Sequence, residues 1–193
     1  MATSNPGKQR ELWALLRELP VRLITPKEAG LELSVVEDGA SYVENACKKA
    51  GAYARESGLV SLADDSGLEV EALGGEPGLH SRRYVRRVDA TDADRRALLL
   101  ERLAGKPPPW RAHFRAAVAI AVPGGEILWA EGSCEGEIQS QERGLGGFGY
   151  DPIFLVAGTG LTMAELDLSR KNRLSHRGRA VANALPHLRQ LFP

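Results

Sequence analysis

Residues 112–120, Ala-His-Phe-Arg-Ala-Ala-Val-Ala-Ile, constrain the fold more than any other stretch, because their larger apolar side chains recur at every second position. Period-two alternation places those side chains on one face of a strand, whereas a helix would scatter them. Pro123-Gly124-Gly125-Glu126 then reads as a turn, and Ile127 opens a second extended run, so a long central hairpin is expected. Elements alternate around it. Leu12, Leu15, Leu16 and Leu19 share one face of a first helix, and Val21 to Ile24 and Leu33 to Val36 look extended. Ser41 with Glu44 forms a capping box for a helix through about Glu56, which makes Glu44 a cap rather than a catalytic group. Thr91 or Asp92 starts another helix carrying Leu98, Leu99 and Leu103, Thr162 with Glu165 forms another capping box, and Ala180 to Leu191 is the last helix. The pattern implies an α/β or α+β architecture. There is no internal repeat, low-complexity tract or linker, and Lys106 to Pro109 is too short a connector to separate domains, so residues 1–193 are expected to form one domain.

At 193 residues, of which 43% are hydrophobic, the chain can bury a substantial core. Its 25 basic and 25 acidic residues cancel to a formal net charge of +0, so no global field favours nucleic acid or membranes. No run is long and apolar enough to span a bilayer, and the polar start is unlike a secretory signal. Cys47 and Cys134 lack metal-like spacing, and Cys47 shares a helical face with Val43, Ala46, Ala50 and Ala54, which suits packing. A reducing cytoplasm is the natural setting.

The chemistry is concentrated in four segments. Leu59 to Ala63 reads as a short buried strand closed by Asp64-Asp65-Ser66-Gly67, with Gly67 as a sharp exit. Adjacent side chains on extended backbone point to opposite faces, so one aspartate is a metal ligand and the other stands behind it unless the chain bends. Taken alone, Asp-Asp-Ser-Gly favours a plain turn. Further loops suited to a nucleotide shift that balance. Ala2 to Lys8 precedes the first helix, where free N–H groups and the helix dipole can bind an anion and Lys8 adds a charge. Ala2 and Gln9 stand where a Walker A loop needs Gly and Ser or Thr, so this is not a P-loop. An ordinary N-cap by Ser4 or Asn5, with Lys8 solvated, is the alternative.

Gly144 to Pro152 contains a formal G-x-G-x-x-G, but Tyr150-Asp151-Pro152 does not open a helix, which excludes a dinucleotide fold. Glycines around Phe148 and Tyr150 can instead bring backbone against a flat ligand on which a ring stacks; the alternative is a flexible loop with Phe148 folded onto the core. Lys171 to Gly178 sets cations, Ser175 and His176 just ahead of the last helix. There Arg177 and His176 can donate to a purine carbonyl and ring nitrogen, although most such runs are simply solvated. His80, His113 and His187 are read as structural or surface histidines.

Five motifs stand in order over nearly the whole chain: Thr3 to Lys8, Glu37 to Ala46, Ala63 to Leu68, Gly146 to Pro152 and Ser175 to Gly178. Together they resemble the non-canonical purine nucleoside triphosphate pyrophosphatases, the family that hydrolyses inosine and xanthosine triphosphates. Two features depart from its pattern: Ser4 replaces a glycine, and the apolar strand before the first loop is nearly absent, the chain beginning Met1-Ala2. The resemblance implies a mixed, strongly curved sheet, two lobes around a nucleotide cleft, a homodimer, and magnesium-dependent cleavage between the α and β phosphates. It also implies roles. Asp65 serves as base or orients the water, and with Glu37 binds Mg2+. Asp64 positions Asp65. Thr3, Ser4, Asn5, Pro6, Gly7 and Lys8 hold phosphates, Ser66 contacts substrate, and Lys171 reaches the phosphates or the base. Phe148 stacks on the base, whose edge is read by His176, Arg177 and the backbone of Gly149, Tyr150 and Asp151. Competing readings are a pyrophosphatase for other nucleotides, a nucleotide sensor, and a nucleic-acid module built on Arg82-Arg83-Tyr84-Val85-Arg86-Arg87.

Overall fold

In the computed structural model, which describes residues 1–193, the period-two run becomes β2 (Trp110–Ala121) and the run after the turn becomes β3 (Ile127–Ile138). The turn closes where Gly125 N–H donates to Val122 C=O and Val122 N–H donates to Glu126 C=O. With β1 (Ser61–Val70) and β4 (Phe154–Val156) these strands form one four-stranded sheet in the order β1-β2-β3-β4. β4 runs antiparallel to β3, with Ile138 opposite Phe154 and Gly136 opposite Val156. The helices are α1 (Pro6–Leu16), α2 (Tyr42–Ser57), α3 (Asp92–Leu103), α4 (Leu168–Leu174) and α5 (His176–Leu191).

The chain forms two compact units. One comprises Met1–Asp65, Ala116–Gly132 and His176–Pro193; the other comprises Ser66–Arg115 and Ser133–Ser175. The first buries Leu12 and Leu16 of α1, Leu62 of β1, Val118 and Ile120 of β2, and Val181, Ala184 and Leu188 of α5. The second buries Leu99 and Leu103 of α3 with Phe114, Ile138, Ile153, Phe154, Val156 and Met163. Each large aliphatic or aromatic residue so buried contributes about 1.5–3 kcal/mol before the cost of ordering it.

Local signals set the helix ends. Ser41 Oγ accepts Glu44 N–H at 3.1 Å, and Glu44 Oε2 reaches Ala40 N–H at 2.8 Å, one residue earlier than a regular capping box, so Glu44 does cap α2. Thr91 and Asp94 form a full capping box on α3. Thr162 and Glu165 do so on a single 3-10 turn, and Asp167 caps α4 by accepting Arg170 N–H at 2.8 Å.

Three expectations require correction. Residues 21–24 and 33–36 are not strands, because their backbone groups find other partners. Val21 N–H donates to Leu19 C=O, Ile24 C=O accepts the Met1 ammonium at 2.7 Å, and Leu33 C=O accepts the Tyr53 hydroxyl at 3.2 Å. β1 starts at Ser61, leaving Leu59 exposed, and continues through Asp64, Asp65, Ser66 and Gly67, so that segment is neither a turn nor a sharp exit. Leu62, Leu68 and Val70 bury on the period-two pattern at both ends of the segment, and that burial overrides the turn propensity between them. α5 begins at His176 rather than Ala180, since the Arg177 charge in its first turn meets two carboxylates and needs no water.

Candidate functional site

Within the first unit, β1 presents its two aspartates to different neighbours, as alternation along a strand requires. Asp64 Oδ2 accepts Arg177 Nε at 2.9 Å and lies 3.1 Å from Lys8 Nζ. Arg177 in turn donates Nη1 to Glu11 at 2.5 Å, so α1 supplies Lys8 and Glu11 and α5 supplies Arg177. Asp64, Glu11 and Arg177 are all almost fully buried. Asp65 Oδ2 accepts the Asn45 amide at 3.0 Å, and Asn45 Oδ1 accepts Gly39 N–H at 2.8 Å, tying α2 to the loop that follows Glu37. Lys49, one turn after Asn45, pairs with Glu37 and donates to Asp64 C=O at 3.0 Å.

The two aspartate pKa values are consequently shifted in opposite directions. Burial alone would raise the Asp64 carboxyl, but Arg177, Lys8 and Lys49 together hold it far below the usual carboxylate range. Burial pushes Asp65 above that range; Lys8, Lys49 and the Asn45 hydrogen bond oppose the shift and Glu37 adds to it. Burial likewise lowers the Lys8 ammonium, against the pull of Asp64. Glu37 and Asp65 provide oxygen donors only, and no third acidic, histidine or cysteine ligand joins them. Two carboxylates suit a small dication that keeps most of its waters, and such an ion would relieve the Glu37–Asp65 repulsion.

In the second unit, residues 144–152 form a pinned loop. Gly147 and Gly149 have φ of +71° and +61°, which an L side chain adopts only with strain, and they flank Phe148. Asp151 Oδ2 accepts Phe148 N–H at 2.8 Å and Lys171 Nζ at 2.5 Å. That ammonium also lies 4.8 Å from the Phe148 ring centroid, a cation–π distance. Gly149 N–H donates to Asp92 Oδ2 at 2.7 Å, and Gly149 C=O accepts Arg96 Nη1 at 2.8 Å. The buried Tyr150 donates its hydroxyl to Ser81 C=O at 2.9 Å, and burial pushes its phenol well up.

The structure gathers Lys8, Asp64, Asp65, Glu37 and Arg177 into the first unit and Phe148, Gly149, Asp151 and Lys171 into the second. Asn5 caps α1 by accepting Lys8 N–H at 3.1 Å, and Thr3 Oγ1 accepts Asn5 N–H at 3.2 Å. Ser4 and Pro6 are exposed, Gly7 is half-buried, and Lys8 pairs with Asp64 rather than standing in solvent. Ser66 lies half-buried on β1, and His176 is buried at the start of α5. Arg177 is enclosed between Asp64 and Glu11, and Lys171 between Asp151 and Phe148. Glu11, Asn45 and Lys49 were not singled out from sequence. Asn45 and Lys49 share a helix face at i and i+4, which is a usable signal. Glu11 carried none, since its partner is 166 residues away.

The fold and these side chains define an α/β protein with a buried acid–cation cluster and a glycine–aromatic loop. The chain belongs to the Ham1 family, whose model matches residues 1–187. It is 46% identical over 193 residues to a dITP/XTP pyrophosphatase of Desulforamulus reducens, covering 100% of this chain and 96% of that one. It is 49% identical over 182 residues to a dITP/XTP pyrophosphatase of Thermus thermophilus, covering 94% of this chain and 86% of the relative. The solved HAM1 protein from Coxiella burnetii superposes with a TM-score of 0.86 at 40% identity, over 97% of this chain and 96% of that one.

Proposed function

We propose that the protein hydrolyses the deaminated purine nucleotides dITP, ITP and XTP to the monophosphate and pyrophosphate, with Mg2+, and so clears them from the nucleotide pool. The observation that carries this reading is the contrast between Asp64, paired with Arg177 and Lys8, and its neighbour Asp65, held by the neutral Asn45 amide, within one cation-rich cluster, in a chain closely related over its length to dITP/XTP pyrophosphatases. A triphosphate brings about four negative charges that repel an attacking water, so cations must be held beside the water-activating group. Asp65, raised in pKa and fixed at one oxygen by Asn45, orients that water and accepts its proton. Lys8 and Lys49, with the Thr3 to Gly7 loop, receive the phosphates. Glu11 holds Arg177, Arg177 holds Asp64, and Asp64 holds Lys8. Glu37 and Asp65 would hold Mg2+, which would supply charge neutralisation on the phosphate oxygens.

The glycine–aromatic loop serves the base. Phe148 stacks on the purine, Lys171 holds Asp151, which accepts the Phe148 N–H, and the Gly149 to Asp151 backbone meets the base edge. A donor facing carbon six accepts the carbonyl of hypoxanthine or xanthine and is left unpaired by adenine, a difference of about 1–3 kcal/mol per buried group. Ser66 contacts substrate. In this reading residues 1–193 work as one domain with a strongly curved sheet, as a homodimer, in the cytoplasm.

The test is pyrophosphate release with magnesium from inosine, xanthosine, adenosine and guanosine triphosphates, beside an Asp65→Asn variant. Fast release from the first two, lowered about 10²–10⁴-fold in the variant, is the expected result. Equal release from all four would remove the specificity argument, and no release from any would remove the enzyme.

A further inference from the structure

The geometry points to a positioning role for two residues of α3, Asp92 and Arg96, which pin the Gly149 peptide and thereby present the Phe148 ring in its binding pose. This deepens the proposed function and rests on its reading of residues 144–152 as the base platform. Gly149 is held at both backbone groups from one helix: its N–H donates to Asp92 Oδ2 at 2.7 Å, and its C=O accepts Arg96 Nη1 at 2.8 Å. Neither anchor is itself loose. Asp92 Oδ1 accepts Arg95 Nη1 at 2.7 Å, and Arg95 is tied by Nη2 to Ala90 C=O at 2.9 Å and by Nε to Arg82 C=O at 2.7 Å. Arg96 grips Glu142 with Nε at 2.8 Å and Nη2 at 3.0 Å, which aims its remaining nitrogen at Gly149.

The loop needs such an anchor because its own sequence favours motion. Phe148 sits between two glycines at positive φ, the residue type with the most backbone freedom to lose on ordering. On the inner side the loop is held through Asp151, which accepts Phe148 N–H and pairs with Lys171. On the other side the holds at Gly149 are Asp92 and Arg96. With both in place the ring is ordered before a base arrives, so binding does not have to supply that order. Neither α3 residue is assigned contact with the reacting phosphates, so their loss belongs in KM rather than in kcat.

Steady-state kinetics with dITP on Asp92→Ala, Arg96→Leu, Phe148→Ala and the Arg96→Leu/Phe148→Ala double variant test this, together with amide hydrogen exchange at Gly149 in the full chain. The clamp variants are expected to raise KM roughly three- to tenfold with kcat within about twofold, to speed Gly149 exchange, and to add almost nothing once Phe148 is gone. Arg96→Lys, which keeps one donor for Gly149, should recover part of the KM and guards against a variant that fails to fold. If Phe148→Ala raises KM while the clamp variants do not, or if the double variant is fully additive, the clamp is overturned and the base platform stands. If Phe148→Ala itself leaves KM unchanged, the platform reading falls and the clamp with it.

Discussion

Asp64 in the first unit and Asp151 in the second are both buried carboxylates held against a cation, yet their surroundings balance differently. Asp151 pairs with the Lys171 ammonium, which also lies 4.8 Å from the Phe148 ring centroid. Asp64 belongs to a group in which Glu11, Glu37, Asp64 and Asp65 face Lys8, Lys49 and Arg177, four carboxylates against three cations. Asp65 takes its hydrogen bond from a neutral amide. The Asp151 pair rigidifies a loop. In the cluster, burial raises the Asp65 pKa more than Lys8, Lys49 and the Asn45 amide lower it, which leaves that carboxylate with an affinity for protons or a dication.

The largest effect expected from this contrast is on stability. Asp64→Ala takes a buried carboxylate from both Arg177 and Lys8, leaving the Arg177–Glu11 pair, and should cost about 3–5 kcal/mol in urea unfolding, whereas Asp65→Asn removes a poorly compensated charge and should leave stability unchanged or slightly higher. Equal losses in the two variants would break the comparison.

Next in size is the loop around Phe148, proposed above to carry the base. Phe148→Ala should weaken substrate binding by about 1–3 kcal/mol with little change in turnover, read as KM against kcat. An equal fall in kcat would mean that the loop takes part in the chemistry.

The glycines beside Phe148 sharpen the point. Gly149→Ala meets no atom and adds only the strain of positive φ, about 1–2 kcal/mol. Gly147→Ala bears the same strain and also drives its Cβ into the Asp151 carboxylate, so it should lower the melting temperature further and raise KM more. If the two behave alike, the Asp151–Lys171 pair is not what orders the loop.

The smallest effect, and the most specific, is in pH. The folded-state pKa of Asp65 is raised above 3.8, so its contribution to stability is fully present below 3.8 and is lost as pH rises through the raised value. The folded-state pKa of Asp64 is depressed, so its contribution is present above 3.8 and is lost as pH falls through the depressed value. The stability gain of Asp65→Asn over wild type should therefore grow as pH rises just above 3.8, and the acid limb of kcat/KM should sit above that pH. A flat difference would show that Asp65 is not perturbed.

Much of this was legible in the chain. The alternation at 112–120, the turn at 123–126, the Ser41 and Thr91 caps and the helix containing Leu98, Leu99 and Leu103 all formed as read, because each depends on residues a few positions apart. The two extended runs at 21–24 and 33–36 did not become strands, because a strand needs an edge to pair with and their backbone groups meet turns, a terminal ammonium and a tyrosine instead. Asp64 to Gly67 has turn chemistry but lies inside β1, where burial of Leu62, Leu68 and Val70 outweighs it.

The sequence by itself determined which side chains the protein has for its chemistry and, through the five motifs, its family. Only the tertiary structure decided their electrostatic state. Arg177 meets Asp64 across 113 residues of chain and Glu11 across 166, and Asp92 reaches Gly149 across 57. Periodicity and capping are local and act through the backbone geometry of neighbouring residues. The ionisation of a buried carboxylate depends on which distant charges share its low-dielectric surroundings, and only folding brings those together.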